Sequence, residues 1–137
     1  MANRKSALLL PAALAALLLQ PGLAQPQPPK VQPPLTTRFP NGVTATWDLV
    51  YSAIDGFRPL QLDVYTPPPT GAPKPNVLYV HGGGWRNGDQ RHGGTFEDFP
   101  AVLAGVAARG YVVTSISYRL SGESRFPAAI HDTKNAI

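Results

Sequence analysis

The residues best suited to chemistry stand together at His81-Gly82-Gly83-Gly84-Trp85, directly after the apolar run Val77-Leu78-Tyr79-Val80. Attack on an ester carbonyl builds negative charge on its oxygen, and preorganised backbone N–H donors aimed at that oxygen stabilise it. Such donors reach a substrate only where no side chain intervenes, and glycine also enters backbone conformations closed to other residues. Three glycines at the C-terminal end of a parallel strand lie where open α/β sheets bind ligands. Gly83 and Gly84 are therefore the candidate oxyanion donors, with Gly82 as a supporting turn residue. Phosphate loops fit less well. Gly83 and Gly88 have the P-loop gap, but Asp89 and Gln90 follow where Lys and Ser or Thr are required. The dinucleotide pattern started at Gly82 needs glycine where Asn87 stands. A bare Gly-Gly-Gly reads as a surface turn; His before it, Trp after it and a strand leading in favour the oxyanion reading.

The elements that must hold this loop are legible around it. Residues 44–51 carry Val, Thr, Trp and Tyr, which favour strands. Asp55-Gly56 signals a turn, and Leu60, Leu62 and Val64 then alternate with Gln61, Asp63 and Tyr65, the period of a half-buried strand. These segments read as an antiparallel hairpin. Residues 77–80 form a continuous apolar run that suits a strand covered on both faces. Asp98 and Pro100 mark a helix start, Leu103, Val106 and Ala107 share one face, and Gly110 fits its stop. Residues 111–118 are a second buried-type strand. Strand, helix and strand make a parallel βαβ unit, and the whole reads as a mixed α/β sheet. Pro127 suits the first turn of a last helix, with Phe126, Ile130 and Ile137 on an apolar stripe and Asp132 and Lys134 off it. The sequence stops at Ile137 without a terminator, which reads as a truncated or partial sequence.

Outside this region the chain is simpler. Residues 1–24 read as a secretory signal: Arg4 and Lys5 give a positive start, residues 7–19 are apolar and uncharged, and Gly22-Leu23-Ala24 suits cleavage before Gln25. The apolar stretch, interrupted by Pro11, is shorter than the ~20 residues that span a bilayer, so no stable membrane anchor is expected. A secreted or periplasmic protein follows. Residues 25–41, with Pro26, Pro28, Pro29, Pro33 and Pro34, read as a Pro/Gln-rich linker, and residues 42–137 as a partial domain. The chain has no cysteine, which removes disulfides, thiolate catalysis and cysteine-ligated metals. Its 43% apolar content suffices for a core held by ordinary packing. A net charge of +4 without a basic run gives no nucleic-acid footprint.

With these motifs in order, the chain resembles the α/β-hydrolase superfamily, in the H-G-G-G esterase and lipase branch. It is similar to acetyl-esterase and feruloyl-esterase-like members and to the hormone-sensitive-lipase-like group. The resemblance spans about residues 44–137. It rests on Leu62-Asp63-Val64-Tyr65, Val80 through Trp85, Gly110-Tyr111-Val112-Val113, Ser117-Tyr118-Arg119-Leu120 and Phe126-Pro127-Ala128-Ala129. It implies the N-terminal half of an α/β-hydrolase fold, with oxyanion N–H groups at Gly83 and Gly84. It implies loop support from His81, whose ring hydrogen-bonds the loop rather than acting catalytically, and from Gly82. Trp85 either walls the acyl or alcohol pocket or packs beneath the loop.

The family's serine, acid and histidine have no counterpart, since no Gly-x-Ser-x-Gly occurs. Ser115 and Ser117 read as structural. His92 and His131 have no acid partner in view and no metal spacing. Asp132 reads as a structural hydrogen-bonding residue, and Arg119 as half of an ion pair with an unnamed partner. The reading is a secreted carboxylic-ester hydrolase fragment, marginally folded and inactive alone. Its substrate is a small-molecule or polysaccharide-linked ester, with no cofactor, no metal and no nucleic acid. Two further readings stand beside it: a non-catalytic binding or interaction protein of the same descent, and a nucleotide-binding α/β domain.

Overall fold

A computed structural model describes residues 34–137. The secretory signal expected at residues 1–24 and the following stretch to residue 33 lie outside the described residues. Five strands and two helices follow in the order β1 (Thr36–Arg38), β2 (Thr44–Ser52), β3 (Leu60–Thr66), β4 (Asn76–Val80), α1 (Phe99–Ala107), β5 (Val112–Ile116) and α2 (Ala128–Asn135). The strands form one sheet in the order β1-β2-β3-β5-β4.

The β2–β3 hairpin forms as its composition predicts, antiparallel, with Ala45 opposite Tyr65 and Val50 opposite Gln61. The register slips between Thr46 and Leu49, where Asp48 takes a positive φ of 56°. Such an irregularity re-aims side chains without ending the pairing. The βαβ reading also holds: β4 runs parallel to β5 with Val77 opposite Val113, while β3 pairs antiparallel with β5.

Helix α1 begins where the sequence places it. The Asp98 carboxylate accepts from the Ala101 N–H at 3.1 Å, and proline occupies the first turn. Phe99, Leu103 and Ala107 recur at a spacing of four and bury one face with Ala104. That face meets Val43, Ala45, Tyr65 and Val113. Phe39, Trp47 and Tyr65 extend the core as an aromatic cluster, with Trp47 edge-on to Tyr65 at 5.6 Å.

Four expectations are corrected. The stretch read as linker to residue 41 contains β1, which pairs Thr37 with Ala45; prolines end at Pro34, so residues 36–38 keep the N–H groups a ladder needs. The alternation in β3 does not separate a wet face from a dry one, because Asp63 and Tyr65 are both fully buried. Tyr65 meets α1, and Asp63 is covered by a guanidinium described below. Strand β4 is not covered on both faces: Asn76 and Val77 are exposed, and the rest of the strand is only partly buried. The stripe of Phe126, Ile130 and Ile137 faces solvent, whereas Asp132, read as off the stripe, is fully buried. Buried Asp132 is paired with Arg119.

Candidate active site

Strand β4 delivers His81 and then a turn. Gly83, Gly84 and Trp85 have φ of 113°, 61° and 64°. Each lies in the left-handed region, which glycine enters freely and tryptophan does not. The Gly83 carbonyl accepts from the Arg86 N–H at 3.1 Å, closing the turn. A Cβ at Gly83 would collide with the Asn87 carbonyl, so this position admits glycine for space as well as conformation. Gly82, Gly83 and Gly84 are exposed. The N–H groups of Gly83 and Gly84 meet no backbone acceptor among the described residues. Consecutive free N–H groups in such a turn are suited to an anionic oxygen.

His81 is buried beneath this turn. Its Nδ1 lies 2.7 Å from the Gly82 carbonyl oxygen, and its ring stacks on Tyr118 at 4.2 Å. The Tyr118 hydroxyl donates to the His81 carbonyl at 2.8 Å. Burial pushes that hydroxyl above the usual tyrosine range, which keeps it a donor.

Trp85 is half exposed and does not pack beneath the loop; it lies 5.5 Å from Tyr118 and lines a cleft of about 260 Å³. Phe126, Ile130, Ser121 and Arg119 also line that cleft, and the Trp85 carbonyl accepts from the Ser121 N–H at 2.7 Å.

Two charge networks fix the surroundings. Asp132 accepts from Arg119 Nε and Nη2 at 2.9 and 2.7 Å and from the Arg119 backbone N–H at 2.9 Å. Asp132 is therefore the unnamed partner of Arg119, and this bidentate pair orients α2. The hydrogen bond to Asp132 holds the guanidinium above its ordinary pKa. On the α1 face, Arg91 bridges buried Asp63 at 2.8 Å and Asp48 at 2.7 Å, with its guanidinium 4.9 Å from the Trp47 ring. Asp63 also accepts from the Asp48 N–H, which stabilises the irregular strand. Sequence reading missed this network because Arg91 lies in a loop 28 residues from Asp63.

Ser115 and Ser117 are structural as expected, donating to the carbonyls of Gln90 and Gln61. His92 does have an acid partner, contrary to the sequence reading: its Nδ1 lies 2.7 Å from Asp89 Oδ2, at the surface. The Asp89 carboxyl lies below its usual range: burial pushes it up, and the Arg91 N–H and His92 outweigh that. Among the described residues, no group of three His, Cys, Asp or Glu side chains could hold a metal.

The mixed sheet matches the N-terminal part of the α/β-hydrolase fold found in esterases. Esterase B from Lactobacillus rhamnosis superposes with a TM-score of 0.57 at 26% identity, over 72% of this chain and 30% of that one. A bacterial heroin esterase superposes with a TM-score of 0.53 at 29% identity, over 67% and 28%. Within that class, the chain belongs to the BD-FAE family, whose model matches residues 62–137. Among curated relatives, carboxylesterase NlhH of Mycobacterium tuberculosis is 35% identical over 61% of this chain and 24% of its own length. Esterase LipI of the same organism is 44% identical over 58% of this chain and 24% of its own. The chain spans about a quarter of the length of these relatives.

Proposed function

We propose that the chain supplies the oxyanion half of a carboxylic-ester hydrolase. The observation that carries this is the exposed glycine turn after β4, whose Gly83 and Gly84 N–H groups meet no backbone acceptor among the described residues. A nucleophile adds to the ester carbonyl, the carbon–oxygen π electrons move onto oxygen, and these two N–H groups stabilise the charge. His81 and Gly82 support the turn, and Trp85 walls the substrate.

No Gly-x-Ser-x-Gly occurs in these 137 residues. On this proposal the serine, acid and base lie outside these residues; the stretch matched in carboxylesterase NlhH is only 24% of that protein. The 137 residues alone are inactive. The names of the relatives support an ester substrate. Small-molecule and polysaccharide-linked esters both suit the proposal, and no metal or cofactor enters the chemistry. The reading of residues 1–24 supports a secreted or periplasmic protein, testable by finding Gln25 at the N-terminus of exported material.

Turnover of short-chain nitrophenyl esters is the test. The 137-residue chain should show only the buffer rate. The protein encoded by the genomic reading frame around this sequence should hydrolyse the ester. Gly83→Ala in that protein keeps the backbone N–H, but its methyl collides with the Asn87 carbonyl and must re-aim the turn; kcat should fall by about 10²–10³, the range set by one misplaced oxyanion donor. A frame without Gly-x-Ser-x-Gly, together with no hydrolysis, would leave a non-catalytic binding protein as the better reading; the absence of a nucleophile in this chain is what favours that second reading.

A further inference from the structure

We propose that Tyr118 is a positioning residue for the oxyanion turn, acting through His81, and that Gly88 is glycine to leave room for this linkage. The inference rests on the oxyanion reading of Gly83, but its own geometry is independent of any activity.

A carbonyl oxygen only accepts hydrogen bonds. The 2.7 Å contact between His81 Nδ1 and the Gly82 oxygen therefore requires the proton on Nδ1. The Gly82–Gly83 peptide is trans, so its C=O and N–H point in opposite directions. Fixing the Gly82 oxygen fixes the direction of the Gly83 N–H, the proposed donor. The His81 ring can do this only if it is itself held, and Tyr118 holds it twice. The phenol ring lies 4.2 Å from the imidazole with the planes 10° apart. The phenol hydroxyl donates to the His81 carbonyl at 2.8 Å. Tyr118 follows β5, so the rigid neighbouring strand anchors the turn that leaves β4.

Gly88 approaches the same contact from the other side. A Cβ there would lie 2.5 Å from His81 Nδ1 and 2.8 Å from the Gly82 oxygen, wedging into the hydrogen bond. The remaining imidazole nitrogen, Nε2, is buried with no hydrogen-bond partner among the described residues. It gives no competing reason for the ring to turn, since with the proton on Nδ1 it is an acceptor facing no donor.

Nitrogen-15 NMR of the longer protein tests this, recorded well above the ordinary histidine range. The wild-type ring should show a protonated Nδ1 and a bare Nε2. Tyr118→Phe, which keeps the stacked ring and removes only the hydroxyl, should move the Gly83 amide cross-peak and mix the two His81 tautomers. Gly88→Ala should move the same Gly83 peak. Either of two results overturns the proposal: a wild-type His81 protonated on Nε2, which needs no variant to fold, or an unmoved Gly83 amide in folded Tyr118→Phe. Neither result bears on the oxyanion reading of Gly83, which fails separately if the longer protein does not hydrolyse the ester.

Discussion

At the scale of single residues, the fully buried Asp132 and its partner Arg119 make an asymmetric pair. The Arg119 side chain is about 21% exposed and Asp132 is not exposed at all. Breaking a buried pair leaves the surviving charge uncompensated, at about 3–5 kcal/mol. Arg119 can recover water when its partner is removed; Asp132 cannot. Arg119→Ala should therefore destabilise by about 3–5 kcal/mol and Asp132→Ala by less, measured by urea unfolding of the longer protein. The reverse order would contradict the view that Arg119 exists to neutralise a dry carboxylate.

Tyr51 gives a pH dependence at the same scale. Its hydroxyl donates to the Ser117 carbonyl, and burial, then the nearby Asp132 charge, raises its pKa from 10.0 to about 12. A phenol that keeps its proton longer when folded contributes stability that is complete below pH 10 and lost as pH rises through about 12. Melting temperature should fall between those values, and Tyr51→Phe should flatten the fall. Tyr65, Tyr79 and Tyr118 are raised in the same direction, so the variant should reduce the slope without removing it.

At the scale of elements, the most legible piece was α1. Asp98, Pro100, the apolar face and Gly110 are each local signals, and each appears in place. Asp98→Ala should cost about 1 kcal/mol, the usual value of a lost N-cap, without altering the helix span seen by circular dichroism. Helix α2 was misread on its buried face for a physical reason. Periodicity ranks residues by hydropathy, and Asp132 ranks low. Its burial depends on Arg119, which precedes α2 and reaches it only once β5 has placed the connecting segment. Strand β3 failed the same way: Asp63 is buried because Arg91 arrives from a loop.

At the scale of the whole molecule, β4 ends the described sheet with no strand on its outer side. An unpaired edge with a partly exposed Val77 is a template for pairing with another chain. The 137-residue chain should self-associate as concentration rises in sedimentation velocity, and Val77→Lys should weaken that association. An ideal monomer at high concentration would count against a sticky edge.

Sequence by itself determined the strand–helix–strand order, the hairpin, the start of α1 and the glycine turn. All of these are written in neighbouring residues, through periodicity, caps and backbone freedom. Tertiary structure alone decided which charges are dry, that His92 meets Asp89, that Trp85 faces a cleft, and that Tyr118, just past β5 and 37 residues on in the chain, meets His81. Most of these depend on side chains that meet only after the sheet has formed. His92 and Asp89 are close in sequence, but their meeting depends on a loop conformation that no local periodicity encodes.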